Sequence, residues 1–223
     1  MTGRTLVVAT AHSAAGLRIA PGLGLDDVDL VEVRVDALVG QLGLLRRILP
    51  SLKVPILLTV RHPAEGGLGR LTTRRRRELF AEFLPHAAMV DVELRSVAAM
   101  GEVISAAKGR GAAVVVSDHH FQRTPPPAVM AERERRAFKA GADVFKIATM
   151  TDDARSLASL LEFAARPARG LRAVMGMGKF GQASRLALAR AGSVLNYGYL
   201  DKPNASGQWE ARELKSLLSR MGV

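Results

Sequence analysis

The chain has no cysteine. That excludes a disulfide framework, a thiolate nucleophile and any cysteine-ligated zinc, and it suits a cytoplasmic protein. Aromatic residues make up only 4% of the 223 residues, too few to offer a stacking surface for single-stranded nucleic acid. Apolar runs are short. The longest near the N-terminus, LVVATA, is too brief for a signal-peptide core, and nowhere do about 18 apolar residues run together as a membrane span needs. The expectation is a soluble, unprocessed chain with no membrane partner. Lysine is scarce as well: seven lysines stand against 25 arginines.

What is present is a formal charge of +11 and 48% hydrophobic residues, enough for one substantial core over residues 1–223. The positive charge would favour nucleic acid if it were gathered on one face, but it is mostly dispersed. The one dense block, Arg74 to Arg77 in LTTRRRREL, follows Thr72 and Thr73, either of which can cap a helix, and precedes apolar residues at helical spacing. It reads as a solvated helix face rather than a nucleic-acid stripe.

Short β-rich runs recur along the chain: LVVATA from Leu6, LVEVRVD from Leu30, PILLTVR from Pro55, MVDVEL from Met89, AVVVSDH from Ala113, DVFKIAT from Asp143, RAVMGM from Arg172 and SVLNYGY from Ser193. Segments of helical periodicity such as LGLLRRIL and VAAMGEVISAAK lie between most of them. Strand then helix, eight times, predicts an α/β fold, a compact (β/α)8 TIM barrel forming a single catalytic domain. A doubly wound open sheet is the alternative, but no glycine-rich dinucleotide turn follows the first strand.

Alternation within the strands says which residues face inward. In LVEVRVD the valines 31, 33 and 35 share one face and Glu32, Arg34 and Asp36 the other. The valines suit the helix layer, which sends the charges into the barrel. The same parity sends Arg61, Asp91, Glu93, Ser117 and His119 inward, and in ADVFKIATM, residues 142–150, it sends Lys146 inward between Phe145 and Ile147. So many buried charges are costly unless they pair with one another or with a ligand. The interior looks built around a polar, anionic small molecule.

A lysine amine attacks a carbonyl when deprotonated, and the resulting iminium acidifies the neighbouring carbon. Arg34 and Arg61 are candidate cationic neighbours that would lower the Lys146 pKa, and His119 is the natural proton carrier. Each residue also has a plain structural reading. Lys146 could reach solvent, Arg61 with Glu65 could be a loop ion pair, Glu32 with Arg34 a pair within the barrel, and Met177 simple packing. Gly178 to Gly181, GKFG, could be an anion-binding turn or loop geometry, and Gln208 a loop residue. The histidines are not at metal-ligand spacing, so no metal site is expected.

Six motifs in order resemble type I 3-dehydroquinate dehydratase, a Schiff-base-forming (β/α)8 lyase of the shikimate pathway of aromatic amino acid biosynthesis: EVRVD, TVRHPAEGG, SDHHFQRTP, ADVFKIATM, MGKFGQASR and SGQ. The similarity runs from the first strand to near the C-terminus. It implies that Lys146 forms an imine with the substrate ketone, that His119 rather than His120 is the general acid and base, and that Glu65 supports it. It implies further that Glu32, Arg34, Arg61, Arg185 and Gln208 hold the substrate's hydroxyls and carboxylate, Arg185 through a bidentate contact, and that Met177 packs beside it. No cofactor and no metal would be needed, and a homodimer is the family's habit. Two departures stand out: Asn204 where the family has serine and Ser206 where it has proline, both in the closing loop. The chain also begins almost at the first strand, so an N-terminal hairpin closing the barrel floor is expected to be missing. A class I aldolase or transaldolase-like barrel is the competing enzyme reading, but NYGYLDKPNASGQ offers no phosphate cradle. A basic nucleic-acid-binding scaffold would leave the inward Lys146 and His119 unexplained.

Overall fold

A computed structural model describes residues 5–223; residues 1–4, where the expected domain begins, lie outside the described residues. The strands are β1 Leu6–Ala11, β2 Leu30–Arg34, β3 Ile56–Thr59, β4 Met89–Glu93, β5 Ala113–His120, β6 Val144–Met150, β7 Leu171–Met177 and β8 Leu195–Tyr199. Each is followed by a helix: α1 Ala14–Ile19, α2 Leu42–Ile48, α3 Thr73–Phe83, α4 Gly101–Gly109, α5 Pro127–Lys139, α6 Ala154–Ala165, α7 Gly181–Arg190 and α8 Ala211–Arg220. All neighbouring strands run parallel, in the order β7-β6-β5-β4-β3-β2-β1-β8. This is the (β/α)8 barrel expected from the rhythm of the sequence. No helix among the described residues is long and apolar enough to cross a membrane.

Side-chain caps start several helices. The Ser13 hydroxyl accepts from the Gly16 N–H, Thr72 from Arg75, Asp153 from Ser156 and Glu210 from Glu213. Each satisfies a backbone donor that the first turn leaves open, worth about 1 kcal/mol.

The alternation along the strands produces two apolar cores. Val31, Val33, Phe145 and Ile147 belong to the outer one, between strands and helices. Val8, Leu30, Leu57, Met89, Val115, Val144 and Leu195 form the inner one. One inward step further along each strand the character changes to Thr10, Glu32, Thr59, Asp91, Ser117 and Lys146, all buried. An apolar floor thus supports a charged layer facing the strands' C-terminal ends.

Closure is uneven. β7 and β8 share no strand ladder; the Val194 N–H donates to Arg172 O at 2.7 Å, and the Ser193 hydroxyl bridges the Val174 N–H and carbonyl at 2.9 and 3.2 Å. Higher up, the Arg185 guanidinium spans this seam, donating to Gly176 O of β7 and Tyr197 O of β8.

The arginine block is only partly a solvated face. Arg74 and Arg75 are solvent-facing and pair with Glu78, but Arg76 is fully buried. It donates to Val60 O at 2.8 Å, to the Ser96 hydroxyl at 3.2 Å and to Glu93 at 2.5 Å. Its place on the inner face of α3 puts it above an inward carboxylate, and that partner overrides the tendency of arginine to stay in water.

Candidate active site

Strands β2 to β6 carry the charged wall of the barrel mouth. Lys146 lies buried with its Nζ 2.9 Å from Asp91 Oδ2 and 4.0 Å from the centre of the Tyr197 ring. Asp91 is also gripped by Arg61, whose Nη1 and Nη2 each donate at 2.9 Å, and by the Ser117 hydroxyl at 2.5 Å. Burial would raise the Asp91 pKa, but Arg61 and Lys146 outweigh it and hold this carboxyl well below the usual range. The arginines expected beside the lysine are themselves neutralised: Arg61 by Asp91 and Glu93, Arg34 by a two-nitrogen contact with Asp36 at 2.9 Å. The partner that touches Lys146 is therefore a carboxylate. Neither an Arg61–Glu65 loop pair nor a Glu32–Arg34 pair forms.

His119 closes the wall. Its Nδ1 is 2.9 Å from Glu65 Oε2, and the same oxygen accepts the His119 backbone N–H at 3.2 Å. When Glu65 is ionised, Nδ1–H donates to Oε2 and Nε2 is left as the lone-pair nitrogen. Burial, then Arg61 and Lys146, hold the imidazole well below the ordinary histidine value. Burial pushes Glu65 up to about 8. His120, by contrast, pairs with Asp118 at 2.8 Å and does not line the mouth.

The opposite side, from β7 and β8, has no carboxylate among its lining residues. Met175, Met177, Tyr197 and Arg185 face the mouth here, with Asn204, Ala205 and Gln208 from the loop after β8. Arg185 is fully buried, and its Nε and Nη1 donate to the carbonyls of Tyr197, Gly176, Gly181 and Gly207 at 2.7–2.9 Å. Burial alone lowers it to about 10, so it stays charged at neutral pH. Nη2 has no bond among the described residues, and it is the nitrogen left for a ligand. Its other two nitrogens are engaged by the backbone of the seam.

The other residues expected at the site line the same mouth. Glu32 accepts hydroxyl bonds from Thr10 and Thr59 at 3.0 and 2.9 Å, and Arg34 also donates to Gly66 O at 3.0 Å. Gln208 uses its amide oxygen to accept the N–H groups of Asn204 and Ala205 at 2.9 and 3.2 Å, shaping the closing loop. That loop is seated despite its two departures: the Gly178 N–H reaches both the carbonyl and the hydroxyl of Ser206, at 3.1 and 3.0 Å. The GKFG glycines serve this packing. Gly178 adopts φ 79°, and a Cβ on Gly181 would lie 2.8 Å from the Gly207 Cα. Sequence reasoning placed Asp91 inward without giving it a role, and it passed over Thr10, Thr59 and Tyr197. Strand parity marks all four, since each shares the inward register of its strand. Among the described residues no group of three His, Asp or Glu is placed to hold a metal ion.

Together these groups form a mouth with a buried amine, a neutral histidine backed by a carboxyl, and a cation without a carboxylate partner. The chain is similar to known proteins over nearly its whole length. A family model described as Type I 3-dehydroquinase matches residues 7–223. The 3-dehydroquinate dehydratase of Methanocella arvoryzae is 35% identical over 218 residues, covering 97% of both chains. Among solved structures, the 3-dehydroquinate dehydratase of Geobacillus kaustophilus superposes with a TM-score of 0.88 at 25% identity, covering 98% of this chain and 91% of that one. The type I 3-dehydroquinate dehydratase of Clostridium difficile, solved with covalent modified comenic acid, gives 0.85 at 26% identity, with 98% and 92% covered. The chain belongs to the type I 3-dehydroquinase family.

Proposed function

We propose that this chain dehydrates 3-dehydroquinate to 3-dehydroshikimate through an imine on Lys146, with His119 carrying the protons. The observation that carries the reading is the convergence of one buried amine and one neutral imidazole on a single mouth whose far side holds an unneutralised arginine. The Lys146 amine adds to the substrate ketone, the oxygen leaves as water, and the iminium draws electrons from the adjacent carbon. His119 Nε2 takes the proton from that carbon. The enamine then expels the hydroxyl one carbon further on, and the imidazolium returns its proton to the departing oxygen. A single histidine serving both steps works on one face of the ring, which makes the elimination syn. Water then hydrolyses the product imine and frees Lys146.

The other side chains divide the work by what they have free. Glu65, once ionised, holds His119 in the Nδ1–H tautomer and stabilises the imidazolium as it forms. Asp91 and the Tyr197 ring face the Lys146 nitrogen, where the positive charge of the iminium is placed. Arg185 Nη2 receives the substrate carboxylate, while Glu32, Arg34 and Gln208 meet its hydroxyls and Met177 packs against its ring. Arg61, with both terminal nitrogens on carboxylates, acts through Asp91 and by its field on His119 rather than as a free donor. The same reading takes the chain as a cytoplasmic homodimer of the shikimate pathway that needs no cofactor, which rests on the family resemblance.

The test is turnover of 3-dehydroquinate followed by the absorbance of the conjugated product. Wild type should convert it, while Lys146→Ala and His119→Ala should lose about 10²-fold or more in kcat with the fold retained. Full activity in Lys146→Ala would remove the imine.

A further inference from the structure

Among the described residues lining the mouth, Tyr197 carries a buried side-chain oxygen without a hydrogen-bond partner. It is 4% exposed and faces inward from β8, and its hydroxyl has no hydrogen-bond partner among the described residues. Leaving a buried hydroxyl unpaired costs on the order of 1–3 kcal/mol, and a phenylalanine ring would fill the same space without that cost. The ring has a plain task, since Lys146 Nζ sits 4.0 Å over its centre. The oxygen does not. The residue lines the same mouth as Lys146, Glu32 and Met175, with the oxygen buried behind that lining. Burial, with the charges of Glu32 and Asp91, holds the phenol well above its ordinary value despite Arg61, so it stays protonated and can donate.

Resting on the imine reading, we propose that Tyr197 is a further catalytic residue of imine formation and hydrolysis: its hydroxyl donates a hydrogen bond to the oxygen carried by the carbon that joins Lys146 Nζ. On the way in, the N–C bond forms and the ketone oxygen becomes the carbinolamine hydroxyl with a proton from the nitrogen; it then takes a second proton from solvent. The C–O bond then breaks, the oxygen leaves as water, and the nitrogen keeps the positive charge as iminium. On the way out, water adds to the same carbon and the N–C bond breaks. The oxygen in both passages lies next to the lysine nitrogen, and the Tyr197 ring lies against that nitrogen, which places its hydroxyl at the edge of the same reacting group. The phenol orients this oxygen and stabilises charge on it without giving up its own proton. His119 is thereby left to the carbon and hydroxyl chemistry on the other wall.

Exchange of the ketone oxygen with H₂¹⁸O isolates this step, because the oxygen is lost and regained through the carbinolamine whether or not elimination follows. Tyr197→Phe keeps the ring and removes only the hydroxyl. The expected result is enzyme-catalysed exchange into 3-dehydroshikimate slowed about tenfold, with a Tm equal to or above that of wild type, because a buried unpaired group has gone. Exchange at the wild-type rate in Tyr197→Phe would overturn the role, and so would slower exchange accompanied by a lowered Tm, which marks a structural hydroxyl. Lys146→Ala is the control: exchange there at the wild-type rate would instead overturn the imine on which the proposal rests.

Discussion

The two sides of the barrel mouth handle arginine in opposite ways. On the β2–β5 wall, Arg61 is held by Asp91 and Glu93, Arg76 by Glu93, and Arg34 by Asp36. At the β7–β8 seam, Arg185 is as deeply buried but meets four backbone carbonyls and no carboxylate. Carbonyl dipoles satisfy its donors without cancelling its charge. The first wall is therefore electrically closed and suits fixing the geometry of Lys146 and His119. The second keeps a positive charge available to an anion, and that charge costs stability until the anion arrives.

Breaking the closed wall should have the largest effect on stability. Arg61→Met leaves Asp91 and Glu93 buried with fewer partners, and urea denaturation should show a loss of about 3–5 kcal/mol. At the seam, Arg185→Met strands no buried charge. Its stability loss should be smaller, about 2 kcal/mol, while KM for a carboxylate substrate rises on the order of a hundredfold with the loss of a charge-assisted contact. A larger stability loss at Arg185 than at Arg61 would reverse the comparison.

A gentler perturbation separates charge from packing. Burial raises the Glu65 carboxyl from 4.5 to about 8. Between those values the folded chain holds a proton that the unfolded chain does not, so this group's contribution to stability falls as pH rises across that window. Glu65→Gln carries no such proton, and its Tm should decline less than that of wild type between pH 5 and about 8; parallel curves would contradict the shift. The smallest effect belongs outside the mouth: Arg74→Ala, on the exposed face of α3, should change stability by less than about 0.5 kcal/mol.

The same contrast explains what could be read from sequence. Strand parity alone sent Glu32, Arg61, Asp91, His119 and Lys146 inward, because a period of two is a property of the chain and needs no partner. Which inward charges pair with which was not legible. Arg34 lies two residues from Glu32 yet binds Asp36, and Lys146 meets Asp91 from a strand 55 positions away in sequence. Those choices depend on strand stagger and rotamer. Arg76 looked like its exposed neighbours Arg74 and Arg75 because a run of four identical residues hides helical phase. Tyr197 stood in a recognised strand, but nothing local marks a hydroxyl that will be left without a partner. Arg185 was legible as a cation of the site through its motif, whereas its hold on the seam required the two strands to be seen side by side.

Mass analysis after borohydride reduction tests the central claim most directly. Reduction in the presence of 3-dehydroquinate should add one substrate-derived mass to the intact chain, mapping to the peptide that contains Lys146, with no addition in Lys146→Ala. A folded, substrate-converting protein that gains no mass on reduction, or gains it at another lysine, would contradict the account.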